Sequence, residues 1–575
     1  MIDERLVPDG VLDDLPPILR RVLAGRGVAT AAELDLGTSG LLPPSGLRGL
    51  EAAVERLVRA VREGERILFV GDFDADGATA SALGVSLLQA MGAADVRFIV
   101  PNRFEFGYGL TPEIVALALR EEPALIVTVD NGISSIEGAA CAREAGLDLI
   151  VTDHHLPGKE LPDALAIVNP NQVGCEFGSK NLAGVGVIWY LLAATRRRLA
   201  EQNWFAHRPQ PNPADWLDLV ALGTVADVVP LDFNNRVLVE QGLKRMRAGR
   251  LRPGLRALAR VAGRVPERLT AQDLGFALGP RLNAAGRLED MAIGIRCLLA
   301  ETDAAAMQLA TALNELNRAR REIEQEMTAE AERAVVAIDI DPAERHGLCV
   351  YQPGWHQGVV GIVAGRVRER FNRPVIAFAD VGGSAPDELK GSARSIPGLH
   401  VRDALADIAA RVPGLILRFG GHAMAAGLTI RRRHFERFER AFESAVRARL
   451  EPGALAHRVL TDGSLDEADM TLDNAELLTG LGPWGQGFPE PVFHGRVEIV
   501  SSRVVGETHL KLVVRPLGGS AVFDAIKFRQ APLPGVSRVE LVYHLSVNEW
   551  RDRRSLQLLV DELRPLDASV AVESV

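Results

Sequence analysis

Three short stretches concentrate acids and histidines in a pattern suited to phosphoryl chemistry. GDFDADG carries Asp72, Asp74 and Asp76, TVDNG carries Asp130, and VTDHH carries Asp153, His154 and His155. So many carboxylates drawn into one crevice would repel strongly unless cations occupied it. Carboxylate oxygens with a minority of imidazole nitrogens favour Mn²⁺ or Mg²⁺ over zinc held by thiolates. There are enough ligands for two ions, and paired ions clamp the attacking and leaving oxygens of a phosphoryl displacement. A further acid, Asp227 in ALGTVADVVPLD, follows the apolar run Leu217–Val225 and either completes the shell or only ends a helix. A single Asp-Gly after a strand is ordinarily a turn, and a single histidine ordinarily a packed or surface residue. A triple D-x-D-x-D-G twinned with D-H-H is much harder to explain as turns.

Each acidic stretch directly follows an apolar run. The runs are Ile67–Val70, Val96–Val100, Leu125–Val129, Leu147–Thr152 and Ala166–Val168, alternating with helix-like segments over Ala78–Met91, Pro112–Arg120 and Ser135–Ala145. Thr111-Pro112-Glu113 is a helix start, with an N-cap hydroxyl, proline at the first helical position and an acid in the first turn. Continuous apolar strands between helices predict a parallel sheet covered on both faces. The acids then fall at its carboxyl edge, where open α/β sheets bind ligands.

The rest of the chain reads as further domains, since 575 residues are too many for one core. Residues 1–50 form a loop-rich N-terminal extension that packs on the next domain, 51–230 the parallel-sheet domain, and 231–340 a helical connector. The pattern from Asp303 to about Ala337 lacks Gly and Pro and suits one long helix bridging two domains. A second α/β unit spans 341–452, and residues 453–575 are β-rich, with five strands that suit a small OB-like β-barrel.

The bulk numbers exclude little. Hydrophobic residues make up 47% and charged residues 24%. The net charge of −10 does not advertise a nucleic-acid binder, although a local basic channel remains compatible with it. No apolar run reaches the ~20 residues of a membrane span, and MIDERLVPDGVLDDLPP does not read as a signal peptide. Cys141, Cys175, Cys297 and Cys349 form no C-x-x-C pair, which argues against a zinc ribbon or disulfide framework and fits a cytoplasmic location.

A substrate grip is expected from the second α/β unit. Ser392 and Arg394 lie in one polar stretch, Gly420-Gly421-His422 is a turn whose N–H groups could cradle phosphate, and Gly358 opens a helix. Arg287 in NAAGR and Arg103 in PNRFEFGYG are further phosphate-binding candidates, with Phe104, Phe106 and Tyr108 as stacking or packing aromatics. Trp484 reads as a plug packed at a domain interface rather than a stacking platform, and Arg196–Arg198 as cations suited to a helix C-terminus.

GDFDADGATA, TVDNGI, VTDHH and GTVADVVPL, in this order, resemble the first four motifs of the DHH phosphoesterases. GPRLNAAGR (279–287) resembles a further motif of the RecJ branch of that family. GWHQGVVGIVAGR (354–366), KGSARSI (390–396) and FGGHAMAAG (419–427) resemble the DHH-associated domain, and GPWGQGFPEPVF (482–493) the entry to the OB-like domain of that branch. The resemblance spans roughly residues 50–565. It implies metal ligation by Asp74, Asp76, Asp130, His154 and Asp227, with Asp130 bridging two Mn²⁺ or Mg²⁺ ions. His155 would face the scissile phosphate, and Asp72 and Asp153 would support. Phe73 stands where relatives often carry tyrosine. The implied activity is 5′→3′ hydrolysis of single-stranded DNA in repair and recombination, by a monomer working with a single-strand-binding protein and a RecQ-type helicase. Short oligonucleotides or cyclic dinucleotides are the alternative substrates. A catalytically dead DNA-binding scaffold is disfavoured by the intact acid and histidine set.

Overall fold

The computed structural model describes residues 2–101, 109–336, 345–382, 385–451, 453–506, 508–550 and 553–566. The chain forms two compact units. The larger comprises residues 2–282, 291–310 and the chain from 459 onward; the other comprises 283–290 and 311–458.

In the larger unit, β1 (Ile2–Glu4) precedes a five-stranded sheet made of β2 (Arg66–Gly71), β3 (Asp95–Ile99), β4 (Leu125–Val129), β5 (Asp148–Thr152) and β6 (Ala166–Val168). The strand order is β3-β2-β4-β5-β6 and every pairing is parallel. Ile67, Leu68, Phe69 and Val70 are wholly buried, as are Leu125, Ile126 and Val127, because helices cover both faces. The register aligns Gly71 with Val129, Val129 with Thr152, and Thr152 with Val168. The residues that follow, Asp72, Asp130, Asp153 and Asn169, therefore leave the sheet side by side. The order reverses between β2 and β4, so this is also the topological switch point where a crevice opens.

The other unit holds β7 (Leu348–Tyr351), β8 (Val375–Gly382), β9 (Ala385–Arg394), β10 (Arg418–Gly421) and β11 (Ala425–Arg431), in the order β10-β11-β9-β8-β7. Only β7 and β8 pair in parallel. Phe378, Phe438 and Phe442 anchor one core, and Met327, Ala331 and Val335 from the helix Asp303–Val336 enter another. That 34-residue helix runs through the boundary between the two units.

From β12 (Val459–Thr461) the chain returns to the larger unit, and β12 pairs in parallel with β1. Strands β13 (Phe493–Val505), β14 (His509–Pro516), β15 (Phe523–Lys527), β16 (Arg538–Trp550) and β17 (Arg553–Pro565) close a barrel in the order β13-β14-β15-β17-β16, an OB-like ring. Its interior is apolar, filled by Phe493, Leu512, Val514, Leu541 and Leu558. Trp484 is buried against Phe488 with ring centroids 5.1 Å apart, a packing residue as its glycine and proline frame suggests. Arg198 pairs with Glu51 and Glu55, the structural role expected of that basic cluster.

Candidate metal centre

Asp74 caps the helix Ala75–Ala90, its carboxylate accepting from the N–H groups of Asp76 (2.9 Å) and Gly77 (3.0 Å). Asp76, in the first turn, faces the start of a second helix, Gly184–Glu201. Gly184 N–H donates to its Oδ2 at 2.6 Å and Val185 N–H to its Oδ1 at 2.9 Å. Two unpaired helix-start donors and the positive end of the macrodipole thus hold this carboxylate in place. Asp130 leaves β4 in a left-handed conformation, φ 63°. A Cβ at Gly184 would come 2.6 Å from Asp130 Cβ, so only glycine admits both residues. Asn131 donates to the carbonyls of Val70 and Val129, tying together the ends of β2 and β4.

Asp153 organises the two histidines. Its Oδ1 accepts from His154 N–H (2.7 Å) and His155 N–H (3.0 Å) and lies 2.7 Å from His155 Nδ1, while Oδ2 accepts from Ile133 N–H at 2.9 Å. Asn169 and Asn171 donate to the carbonyls of His155 and His154. Asp227 terminates the helix Leu217–Ala226, so it is a helix end and also a member of the cluster.

Three overlapping groups of ligand atoms converge within 4.8 Å: Asp72, Asp74 and Asp130; Asp76, His154 and Asp227; and Asp130, His154 and His155. Asp72, expected only to support, stands among the potential ligands. Asp130 and His154 each belong to two of these groups. His154 supplies the test of fit. Its Nε2 has no hydrogen-bond partner and lies 3.1 Å from Asp130 Oδ1 and 3.4 Å from Asp227 Oδ2. A bare imidazole lone pair facing carboxylate oxygens suits a shared cation.

The electrostatics agree. Burial, then Asp74, raises Asp76 to about 7. Burial and neighbouring carboxylates push Asp130 and Asp227 well above the usual range. Burial lowers His154 to about 4, so the ring is neutral and able to ligate. Burial opposes charge on Asp153 and His155 as well, but their mutual contact outweighs it, lowering Asp153 and raising His155 to about 9. The cluster therefore resists full ionisation by itself and gains most from divalent cations.

Of the phosphate-binding candidates, Arg103 lies outside the described residues, together with Phe104, Phe106 and Tyr108. Arg287, Ser392, Arg394 and His422 all belong to the smaller unit. Arg394 donates to Ser392 Oγ (3.1 Å) and the Ala393 carbonyl, and no carboxylate among the described residues pairs with it. Burial, then the like charge of Arg368, lowers its pKa, so this guanidinium would gain from an anion. Arg287 is instead engaged with the Gly358 carbonyl at 3.1 Å. Gly358 does not open a helix: the helical segment begins at Val360, because Gly358 N–H turns to His356 Nδ1. The Gly420-Gly421-His422 segment is the end of β10 and a hairpin turn, closed by His422 N–H to the Ala425 carbonyl.

Sequence reading passed over Gly184, Asn169 and Asn171. The glycine-rich helix start NLAGVGV was the available signal for the first. Nothing local marks the two asparagines.

The parallel sheet matches the model of the DHH family, N-terminal domain, over residues 66–224. The smaller unit matches the DHHA1 domain over 345–448, and the barrel the RecJ OB domain over 461–562. Fold and site together define a DHH-type protein. The chain is 53% identical to the single-stranded-DNA-specific exonuclease RecJ of Salmonella typhimurium, over 96% of each chain. It is 52% identical to the protein of that name from Escherichia coli, again over 96% of each. A crystal structure of RecJ from Thermus thermophilus in complex with Mn²⁺ superposes with a TM-score of 0.82 at 32% identity, covering 99% of this chain and 80% of that one. The Mg²⁺ complex gives 0.76 at 30%, covering 99% and 79%. The chain belongs to the RecJ family.

Proposed function

We propose that this protein is a single-stranded-DNA-specific exonuclease that hydrolyses phosphodiester bonds 5′→3′, in DNA repair and recombination. The observation that carries this reading is the carboxylate and histidine cluster at the switch point, in a chain 53% identical to RecJ. Its cofactors are Mn²⁺ or Mg²⁺, the ions in the Thermus complexes.

Asp74, Asp76, Asp130, His154 and Asp227 would hold two ions, with Asp72 as a further carboxylate. Bound there, the ions supply Lewis acidity and an acidified water for in-line attack at phosphorus. His155, raised to about 9 by its contact with Asp153 against the effect of burial, would face the developing phosphorane charge. Asp153 keeps that ring oriented. Arg394 and Ser392, in the smaller unit, offer a guanidinium and a hydroxyl suited to phosphate, and Arg287 and His422 stand as lesser candidates. A single-strand-binding protein and a RecQ-type helicase are the partners that fit such an activity, the one covering and the other exposing the strand.

The test is a time course on 3′-end-labelled single-stranded DNA with Mn²⁺, beside the matched blunt duplex and a labelled dinucleotide. Progressive shortening of the single strand with the duplex spared is expected. Cleavage of the dinucleotide alone would move the protein to a small-substrate activity.

A further inference from the structure

Two backbone irregularities lie at either side of the helix end that carries Asp227, one packed on the helix and one just after it, and each presents an apolar side chain to solvent. The first is a single π-helical turn over Leu274–Leu278, inserted between the helical segments Ala271–Asp273 and Gly279–Leu288. Leu274, Ala277 and Leu278 are buried, but Phe276 is 78% exposed and packs on no other ring among the described residues. The second is Val228, the residue after Asp227, which is 62% exposed and left-handed at φ 62°. A β-branched residue in that region is a true outlier, and such conformations and π-turns concentrate at functional sites.

The π-turn packs on the helix Leu217–Ala226, which ends two residues before Val228. A Cβ at Gly275 would lie 3.2 Å from Val225 Cγ1, and one at Gly279 would lie 3.0 Å from Ala226 Cβ. The π-turn is thus seated on the last residues of the helix whose end is Asp227. A regular α-helical register through 274–278 would rotate the following residues and change which side chain points outward. One exposed aromatic is ordinary on a protein surface. An aromatic extruded by an irregular turn, packed against the residues that carry a metal-ligating carboxylate, is a different matter.

We propose that Phe276 is a positioning residue on which a base of the single strand stacks, so that the adjoining phosphate is presented at the metal centre. Every base has a π-face, so this platform tolerates any sequence, whereas paired bases stacked within a duplex cannot reach it. The inference rests on the single-strand reading given above.

The test measures kcat/KM on single strands that carry one abasic nucleotide at each of the first several positions from the attacked end. The intact enzyme should lose on the order of tenfold at one or two positions. Phe276→Ala should show that loss already on the unmodified strand, through KM more than kcat, and little further loss with the abasic strands. Phe276→Tyr should restore the intact pattern. Unchanged melting and an unchanged Mn²⁺-induced rise in Tm would show that F276A is folded and holds metal. If F276A distinguishes abasic from intact strands as the native protein does, the stacking role is wrong. If the native protein degrades no single strand at all, the proposed function fails and takes this inference with it.

Discussion

At the scale of single residues, the centre depends on atoms that serve more than one partner. Asp130 shares two ligand groups and fits against Gly184 with no room to spare. Removing an outer-shell partner of a metal ligand typically costs 10–100-fold. Asp130→Ala, which removes a ligand of two groups, should therefore cost more than about 100-fold in kcat, with far-UV circular dichroism unchanged. Asp153 holds His155, proposed to face the phosphate, in the same supporting way. Asp153→Asn keeps the shape but gives up the charge that orients His155, and should lose about 10–100-fold in kcat/KM. Wild-type kinetics in D153N would leave His155 without the role assigned to it. Both histidines were legible in the sequence because D-H-H follows a strand. The division of labour between them was not, because it follows from His154 turning its bare Nε2 into the carboxylates while His155 turns Nδ1 to Asp153.

At the scale of elements, strands and helices were readable where their pattern was pure. Leu125–Val129 and Ala166–Val168 lie where the apolar runs place them, and the three early helices match to within a few residues at each end. The N-terminal segment packs on the domain that follows it, as its place in the chain suggests, but its reach to the far end of the chain was not readable. Its strand β1 pairs with β12, and Arg26 reaches across 436 positions to Asp462, with both side chains wholly buried. Arg26 also donates to the Pro489 and Glu490 carbonyls. Breaking such a pair strands a buried charge at a cost of about 3–5 kcal/mol. Arg26→Met should sit near the lower figure, because Arg5 remains 3.6 Å from the same carboxylate. Thermal melting checks this.

The barrel carries its own pH response. His544 lies 2.7 Å from the Pro491 carbonyl through Nδ1 and 2.8 Å from Asp561 Oδ2 through Nε2. Both partners are acceptors, so both ring nitrogens donate and the ring is an imidazolium. Burial opposes this, but Asp561 first and Glu490 next raise its pKa above the ordinary value. A raised folded-state pKa adds stability that is complete below about 6.5 and is lost as pH climbs through the folded value. The melting temperature of the larger unit should fall as pH rises above about 6.5, and His544→Gln should flatten the dependence. A dependence identical in H544Q would assign it to other groups.

At the scale of the whole molecule, the division into two units bears on stability. Every proposed metal ligand belongs to the larger unit, and the guanidinium and hydroxyl proposed for phosphate to the smaller. Unfolding should therefore not be two-state. A ligand that binds only the folded form at 100 times its Kd stabilises by about 2.7 kcal/mol. Mn²⁺ should raise the calorimetric transition of the larger unit and leave the other in place, with EDTA reversing the shift. A shift confined to the smaller unit would place the metal elsewhere. Among the described residues no helix is long and apolar enough to cross a membrane.

By itself, the sequence determined the class of chemistry and the sheet that serves it. Carboxylates directly behind buried strands must emerge at one edge, because parallel register leaves them no other place. Only the tertiary structure decided which of those side chains face one another. Asp72 joins the ligand groups, Asp227 arrives from a helix end, and a glycine-led helix start some 108 residues from Asp76 supplies its two N–H donors. Such pairings join residues far apart in the chain, and no local pattern of residue types encodes them. The exposure of Phe276 is of the same kind, since it follows from one irregular turn seated against the residues before Asp227.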